Sequence, residues 1–172
     1  TLCIVMELLS GQNLEQWMET HRGVVPWDEA RRFGVQLMHG LAAMHEEGII
    51  HRDIKPSNVM LVDQTHQLKI VDFGIAKPTD PLERLTQTGM LIGTPAYMAP
   101  EQLLGLHATE TTDIYATGLI LYEMLSGTLP FGDTISAIMR RLREPTPALE
   151  AQVPCPERLC RLVMWMLEKN PE

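Results

Sequence analysis

An α+β fold, mainly α-helical, is predicted by three features of this sequence. Residues 27–47 carry apolar side chains at three-to-four spacing, and residues 112–125 are apolar around nearly the whole helical circumference. Between these two stretches lie short, partly β-branched runs separated by polar turn residues. The length of 172 residues with 45% apolar content suits one domain with an ordinary buried core.

Thr1 lies inside a strand-like run and the sequence closes on Asn170-Pro171-Glu172, so both ends are expected to be cuts in a longer chain. In the 27–47 helix, Ala30, Phe33, Leu37, Met38, Leu41 and Met44 form one face, and Gly48 follows where a left-handed cap is wanted. Small strands are expected at 49–50, 58–62 and 68–71, with Asp63-Gln64-Thr65 as a turn. Pro78, Pro81, Gly89, Gly93 and Pro95 break any period over 75–98, which predicts a long irregular segment of the kind that usually carries function. The helix at 112–125 should be buried and end at Gly127. Two more helices are expected over 134–143 and 156–168, joined by a stretch bearing Pro145, Pro147 and Pro154.

Composition excludes several classes. A net charge of −8 argues against a nucleic-acid surface, and Arg140, Arg141 and Arg143 read as the solvated face of a helix. Cys3, Cys155 and Cys160 are an odd number in a chain too long to need staples, and their spacing makes a poor zinc pattern, so the reducing cytoplasm is the expected compartment. The longest apolar run, 116–122, falls far short of the roughly 20 residues of a spanning helix. Membrane contact by this segment is not expected, although a parent chain could be anchored through other regions. His21, His39, His45, His66 and His107 show no ligand-like pairing, and solvated or core roles are expected for them.

The chemistry concentrates in His51-Arg52-Asp53-Ile54-Lys55-Pro56-Ser57-Asn58, followed by Asp72-Phe73-Gly74 and Ala99-Pro100-Glu101. Phosphoryl transfer needs little covalent help, so a site must supply divalent metal over the phosphates and a carboxylate that orients the attacking hydroxyl. Asp53, Asn58 and Asp72 are suited to those tasks, and the ordered spacing of the whole set is hard to obtain by chance.

On these motifs the chain resembles the eukaryotic-type protein serine/threonine kinases, in particular bacterial members. The resemblance implies the hinge and large C-terminal lobe of a protein-kinase-like fold over 1–172, with the small N-terminal lobe and the last C-terminal helix absent. Residues 3–9 then look like the last small-lobe strand running into the hinge. The implied activity is transfer of the ATP γ-phosphate to Ser/Thr hydroxyls of proteins, with ATP and Mg²⁺ required. Asp53 would orient the acceptor proton, Lys55 would lie against the γ-phosphate, and Asn58 and Asp72 would hold Mg²⁺. Met6 matches the gatekeeper, Glu7 and Leu9 the hinge backbone contacts, and Met60 the adenine floor. His51 and Phe73 are packing residues in this family, and Asp113 matches an anchoring aspartate that accepts backbone hydrogen bonds from the catalytic loop. Glu101 would pair with an arginine beyond the last residue.

The segment 85–98 is similar to bacterial activation loops. Thr86 and Thr88 are candidate autophosphorylation sites, Arg52 and Lys77 the cations that would take their phosphates, and Thr94 a residue of the acceptor pocket. Autophosphorylation would involve a transient dimer. Aminoglycoside-type small-molecule kinases usually carry Gly where Arg52 stands and lack the Ala-Pro-Glu segment. The other reading is a pseudokinase or nucleotide-binding docking module without transfer, against which intact Asp53, Asn58 and Asp72 speak. The 172-residue segment alone, lacking the glycine-rich loop and strand lysine, is expected to be inactive.

Overall fold

The computed structural model describes residues 6–21, 23–62, 67–72, 95–149 and 153–169. Among these, a three-stranded antiparallel sheet in the order β1-β2-β3 sits at one end of a helical body. The strands are β1 (Gly11–Asn13), β2 (Val59–Val62) and β3 (Gln67–Ile70), with Asn13 opposite Met60 and Val59 opposite Ile70. Period-two alternation buries Val59 and Leu61 on the core side and leaves Met60 and Val62 half-buried on the other.

Helix α1 (Leu14–Thr20) begins directly after β1. Its first turn is closed by a capping box: Asn13 Oδ1 accepts from Gln16 N at 2.9 Å, and Gln16 Oε1 accepts from Asn13 N at 3.2 Å. Helix α2 (Trp27–Glu46) buries the predicted stripe at Ala30, Phe33, Leu37 and Leu41, and Gly48 takes the left-handed φ of 71°. Helix α3 (Pro100–Leu103) is a single turn. Helix α4 (Glu110–Ser126) is buried on nearly every face and packs between α2 and α6 (Glu157–Met166), while α5 (Ile135–Arg143) lies at the side. Burying each large aliphatic or aromatic side chain of this core contributes about 1.5–3 kcal/mol. At Gly118 a Cβ would stand 3.0 Å from Met166 and Leu167 side-chain atoms, so the approach of α4 to α6 needs the missing side chain.

The sequence-predicted helices at 27–47, 112–125, 134–143 and 156–168 correspond to α2, α4, α5 and α6 within a few residues at each end. Five elements were not predicted: β1, α1, α3 and the 3₁₀ turns Pro56–Asn58 and Pro95–Tyr97. Of the hinge strand expected over 3–9, residues 3–5 lie outside the described residues, and 6–10 are irregular because no described strand pairs with them. The run 49–50 is likewise irregular, closing the α2 cap through Ile49 N to Met44 O at 2.9 Å. Cys155 and Cys160, read as needing no staple, form a disulfide with Cα atoms 6.5 Å apart. Among the described residues no helix is long and apolar enough to cross a membrane.

Candidate active site

The loop 51–58 crosses from α2 to β2 and is held from beneath by α4. Asp113, 1% exposed in the first turn of α4, accepts from His51 N through Oδ2 and from Arg52 N through Oδ1, both at 2.9 Å. Its Oδ2 also meets His45 Nε2 at 2.9 Å. These bonds hold Arg52 at φ 68°, a conformation that is sterically unfavourable for a side chain with a Cβ. Gln102 of α3 closes the other side, donating to Arg52 O at 2.8 Å.

His51 is fully buried and uses both ring nitrogens. Nε2 donates to Val71 O at 3.0 Å, so the neutral ring presents a lone pair at Nδ1, which accepts from Asp53 N at 3.3 Å. The ring ties the loop to the strand that leads to Asp72.

Asn58, 6% exposed, directs its amide nitrogen at Asp53, donating to the backbone O at 2.8 Å and to Oδ2 at 2.7 Å. Lys55 Nζ stands 3.5 Å from the same Oδ2. The carboxylate of Asp53 is thereby fixed by two neighbours of its own loop. Val71 N donates to Asn58 O at 2.9 Å, which brings the end of β3 beside the start of β2 and places Asp72 next to Asn58. Asp72 is exposed and, like Arg52, has a positive φ, 57°. Arg52 and Asp72 are the non-glycine residues with positive φ among those described, and they flank the same loop.

This donor set fits a divalent cation. Since the Asn58 amide nitrogen is committed to Asp53, its Oδ1 is the atom left for a ligand, and Asp72 supplies a hard, solvent-facing carboxylate. Among the described residues there is no cluster of three or more His, Cys, Asp or Glu. A small divalent cation can complete its shell with water and substrate phosphates, so two side-chain oxygens suffice.

A small cavity beside Asp53 and Lys55 is lined also by Tyr97, Met98 and Gln102 and, from α4, by Thr112, Asp113 and Ala116. Tyr97 Oη donates to Glu123 of α4, and burial pushes the Tyr97 hydroxyl above its ordinary pKa. Burial also raises the Glu123 carboxyl, opposed by that hydrogen bond and reinforced by Glu15. Tyr115 is pushed up to about 12 by burial. Glu101 accepts from Thr112 Oγ1 at 2.6 Å.

The residues expected around adenine are arranged loosely. Met6 is 73% exposed, Glu7 pairs with Lys69 at 2.7 Å, Leu9 is half-buried, and Met60 lies half-buried across the ladder from Lys69. Phe73, Gly74, Lys77, Thr86, Thr88 and Thr94 lie outside the described residues.

Sequence reasoning missed two residues here. His45 bonds to Asp113, where the sequence reading saw no ligand-like pairing and expected a solvated or core role; its spacing of six from His51 on the far side of a helix cap gives no signal of this partner. Arg141, read as part of a solvated face, is fully buried. Helical arithmetic could have found it, since it falls three and four residues after the buried Ile138 and Ala137.

A loop in which an amide and a lysine converge on the carboxylate of Asp53, on a mainly helical body, suits a phosphoryl-transfer class of site. The protein kinase domain family matches residues 1–172, and the chain belongs to that family. The family uses ATP and a divalent metal ion. The chain is 40% identical to the serine/threonine-protein kinase drp72 of Corynebacterium efficiens, over 99% of this chain and 32% of that protein. It is 40% identical to the serine/threonine-protein kinase PknA of Mycobacterium tuberculosis, over 99% of this chain and 39% of that protein. It is also 37% identical to the serine/threonine-protein kinase Pkn1 of Myxococcus xanthus, over 98% of this chain and 25% of that protein. The chain thus spans between a quarter and two fifths of the length of these relatives.

Proposed function

We propose that this chain carries the catalytic loop, metal ligands and acceptor wall of a protein serine/threonine kinase that moves the ATP γ-phosphate to Ser/Thr hydroxyls of proteins. The observation that carries the reading is the clamp on Asp53, in which Asn58 and Lys55 converge on Oδ2 at 2.7 and 3.5 Å. In this reading Asp53 orients the acceptor hydroxyl and takes its proton as that oxygen bonds the γ-phosphorus and the bond from the γ-phosphorus to the β–γ bridging oxygen breaks, ADP leaving. Lys55 turns from Asp53 toward the γ-phosphate when nucleotide binds. Asn58 Oδ1 and Asp72 would hold Mg²⁺, whose charge offsets that of the phosphate oxygens.

Met60 would form the floor under adenine, with the backbone of Glu7 and Leu9 making its edge contacts and Met6 behind it. Thr86 and Thr88 would be autophosphorylated, with Arg52 and Lys77 taking the phosphates. Because Arg52 precedes Asp53, ordering that loop would also order the base. Thr94 would shape the acceptor pocket.

The test is phosphate incorporation by the full-length protein with Mg-ATP, beside Asp53→Asn, followed by mass-spectrometric mapping of Thr86 and Thr88. Loss of a positioned base should lower transfer by about 10²–10⁴-fold while leaving the melting temperature near that of the wild type. Transfer that survives in Asp53→Asn would remove Asp53 from its role. Nucleotide binding without any transfer by the wild type would make this a docking module.

A further inference from the structure

Three arginines sit on α5, and two behave as surface residues. Arg140 pairs with Glu144 in solvent at 2.8 Å, and Arg143 is exposed. Arg141 is buried completely, and its guanidinium donates to the backbone carbonyls of Pro95 at 3.3 Å, Ala96 at 2.5 Å and Met98 at 2.8 Å. Among the described residues no carboxylate forms an ion pair with it, and its Nε and the Tyr115 hydroxyl are both buried without a hydrogen-bond partner. Burial lowers its pKa, with Tyr115 and Tyr97 opposing the shift.

A buried cation bound to neutral carbonyls does little by itself to stabilise a fold, since a well-packed apolar residue of similar volume often does as well or better. Arg141 is therefore explained by what it holds. Its planar fork presents donors in fixed directions, which one lysine ammonium cannot reproduce. The carbonyls it binds belong to the 3₁₀ turn Pro95–Tyr97 and the residue after it. Tyr97 and Met98 of that same short segment line the small cavity that Asp53 and Lys55 also line. The backbone 95–98 is thus tied to the guanidinium through its carbonyls and shares a cavity with the loop that carries Asp53.

We propose that Arg141 is a positioning residue for the protein acceptor: through three carbonyls it sets the height of the 95–98 wall against which the acceptor chain lies. This rests on the kinase reading above. The hydrogen bonds of Arg141 go to the 95–98 backbone, so its effect belongs to recognition of the protein substrate.

The test compares Arg141→Met, Arg141→Lys and the core control Leu149→Ala, a fully buried position elsewhere, in the full-length protein. Arg141→Met should raise KM for a protein acceptor roughly tenfold or more, the size of a lost charge-assisted hydrogen bond. KM for ATP, and kcat at saturating acceptor, should stay within about twofold. Arg141→Lys should recover part of the acceptor KM, and Leu149→Ala should lower the melting temperature without moving it. If Arg141→Met does not fold, Arg141→Lys decides alone, with a KM for acceptor above the wild type and an unchanged KM for ATP. The proposal is overturned if the Arg141 variants only lower the melting temperature, as the control does, or if both KM values rise together. A wild type that transfers no phosphate would sink the kinase reading first and this proposal with it, a result distinct from either of those.

Discussion

The loop 51–58 and the run 6–10 are both assigned to one nucleotide cleft, yet they are held in opposite ways. In the loop, Asp113 takes two backbone N–H groups, His51 bridges Val71 O and Asp53 N, Asn58 grips Asp53, and Gln102 caps Arg52 O. In the run, Met6 and Leu8 are 73% and 93% exposed, and the ion pair from Glu7 to Lys69 is the side-chain tie seen there. The difference follows from the chemistry each would perform. Proton and metal handling demands polar atoms fixed in advance, whereas an apolar ring is recognised by surfaces that stay open until it arrives.

Substituting the anchor should break the contrast most severely. Asp113→Ala strands two backbone donors and removes the partner of His45, for a loss of about 3–5 kcal/mol. Thermal melting should fall by about 10 °C; a shift under about 2 °C would mean that the loop holds itself. Asn58→Ala comes next. It frees the Asp53 carboxylate and removes the proposed oxygen ligand, which should lower stability by about 1–2 kcal/mol and transfer at fixed Mg²⁺ by at least ~10²-fold. A transfer rate close to wild type would take Asn58 out of the site. The smallest effect belongs to the run: Lys69→Ala should change stability by less than about 1 kcal/mol, and less still in high salt, because Glu7 is exposed and Lys69 only half-buried. A larger loss by chemical denaturation would show that 6–10 is as firmly held as the loop.

Much of this was legible in the sequence because it is local or periodic. The stripe of α2, the all-round apolar α4 and the left-handed glycines at 48 and 127 follow from spacing alone. The proximity of Asp53, Lys55 and Asn58 was also readable, since five residues cannot carry them far apart. What escaped reading depends on distant segments. β1 exists only because Gly11–Asn13 meets β2, and its three residues hold no pattern of their own. α1 begins at an Asn-x-x-Gln box that was overlooked beside the longer helix. Arg141 was misjudged because a run of like charges was treated as a unit, although helical geometry sends adjacent residues about 100° apart.

The two committed nitrogens of His51 give the loop a built-in reporter. A buried imidazole N–H hydrogen-bonded to Val71 O is shielded from solvent exchange while the loop stays closed on β3. Its proton should therefore persist as a discrete resonance in water, and its exchange lifetime would time the opening of the catalytic loop without any label.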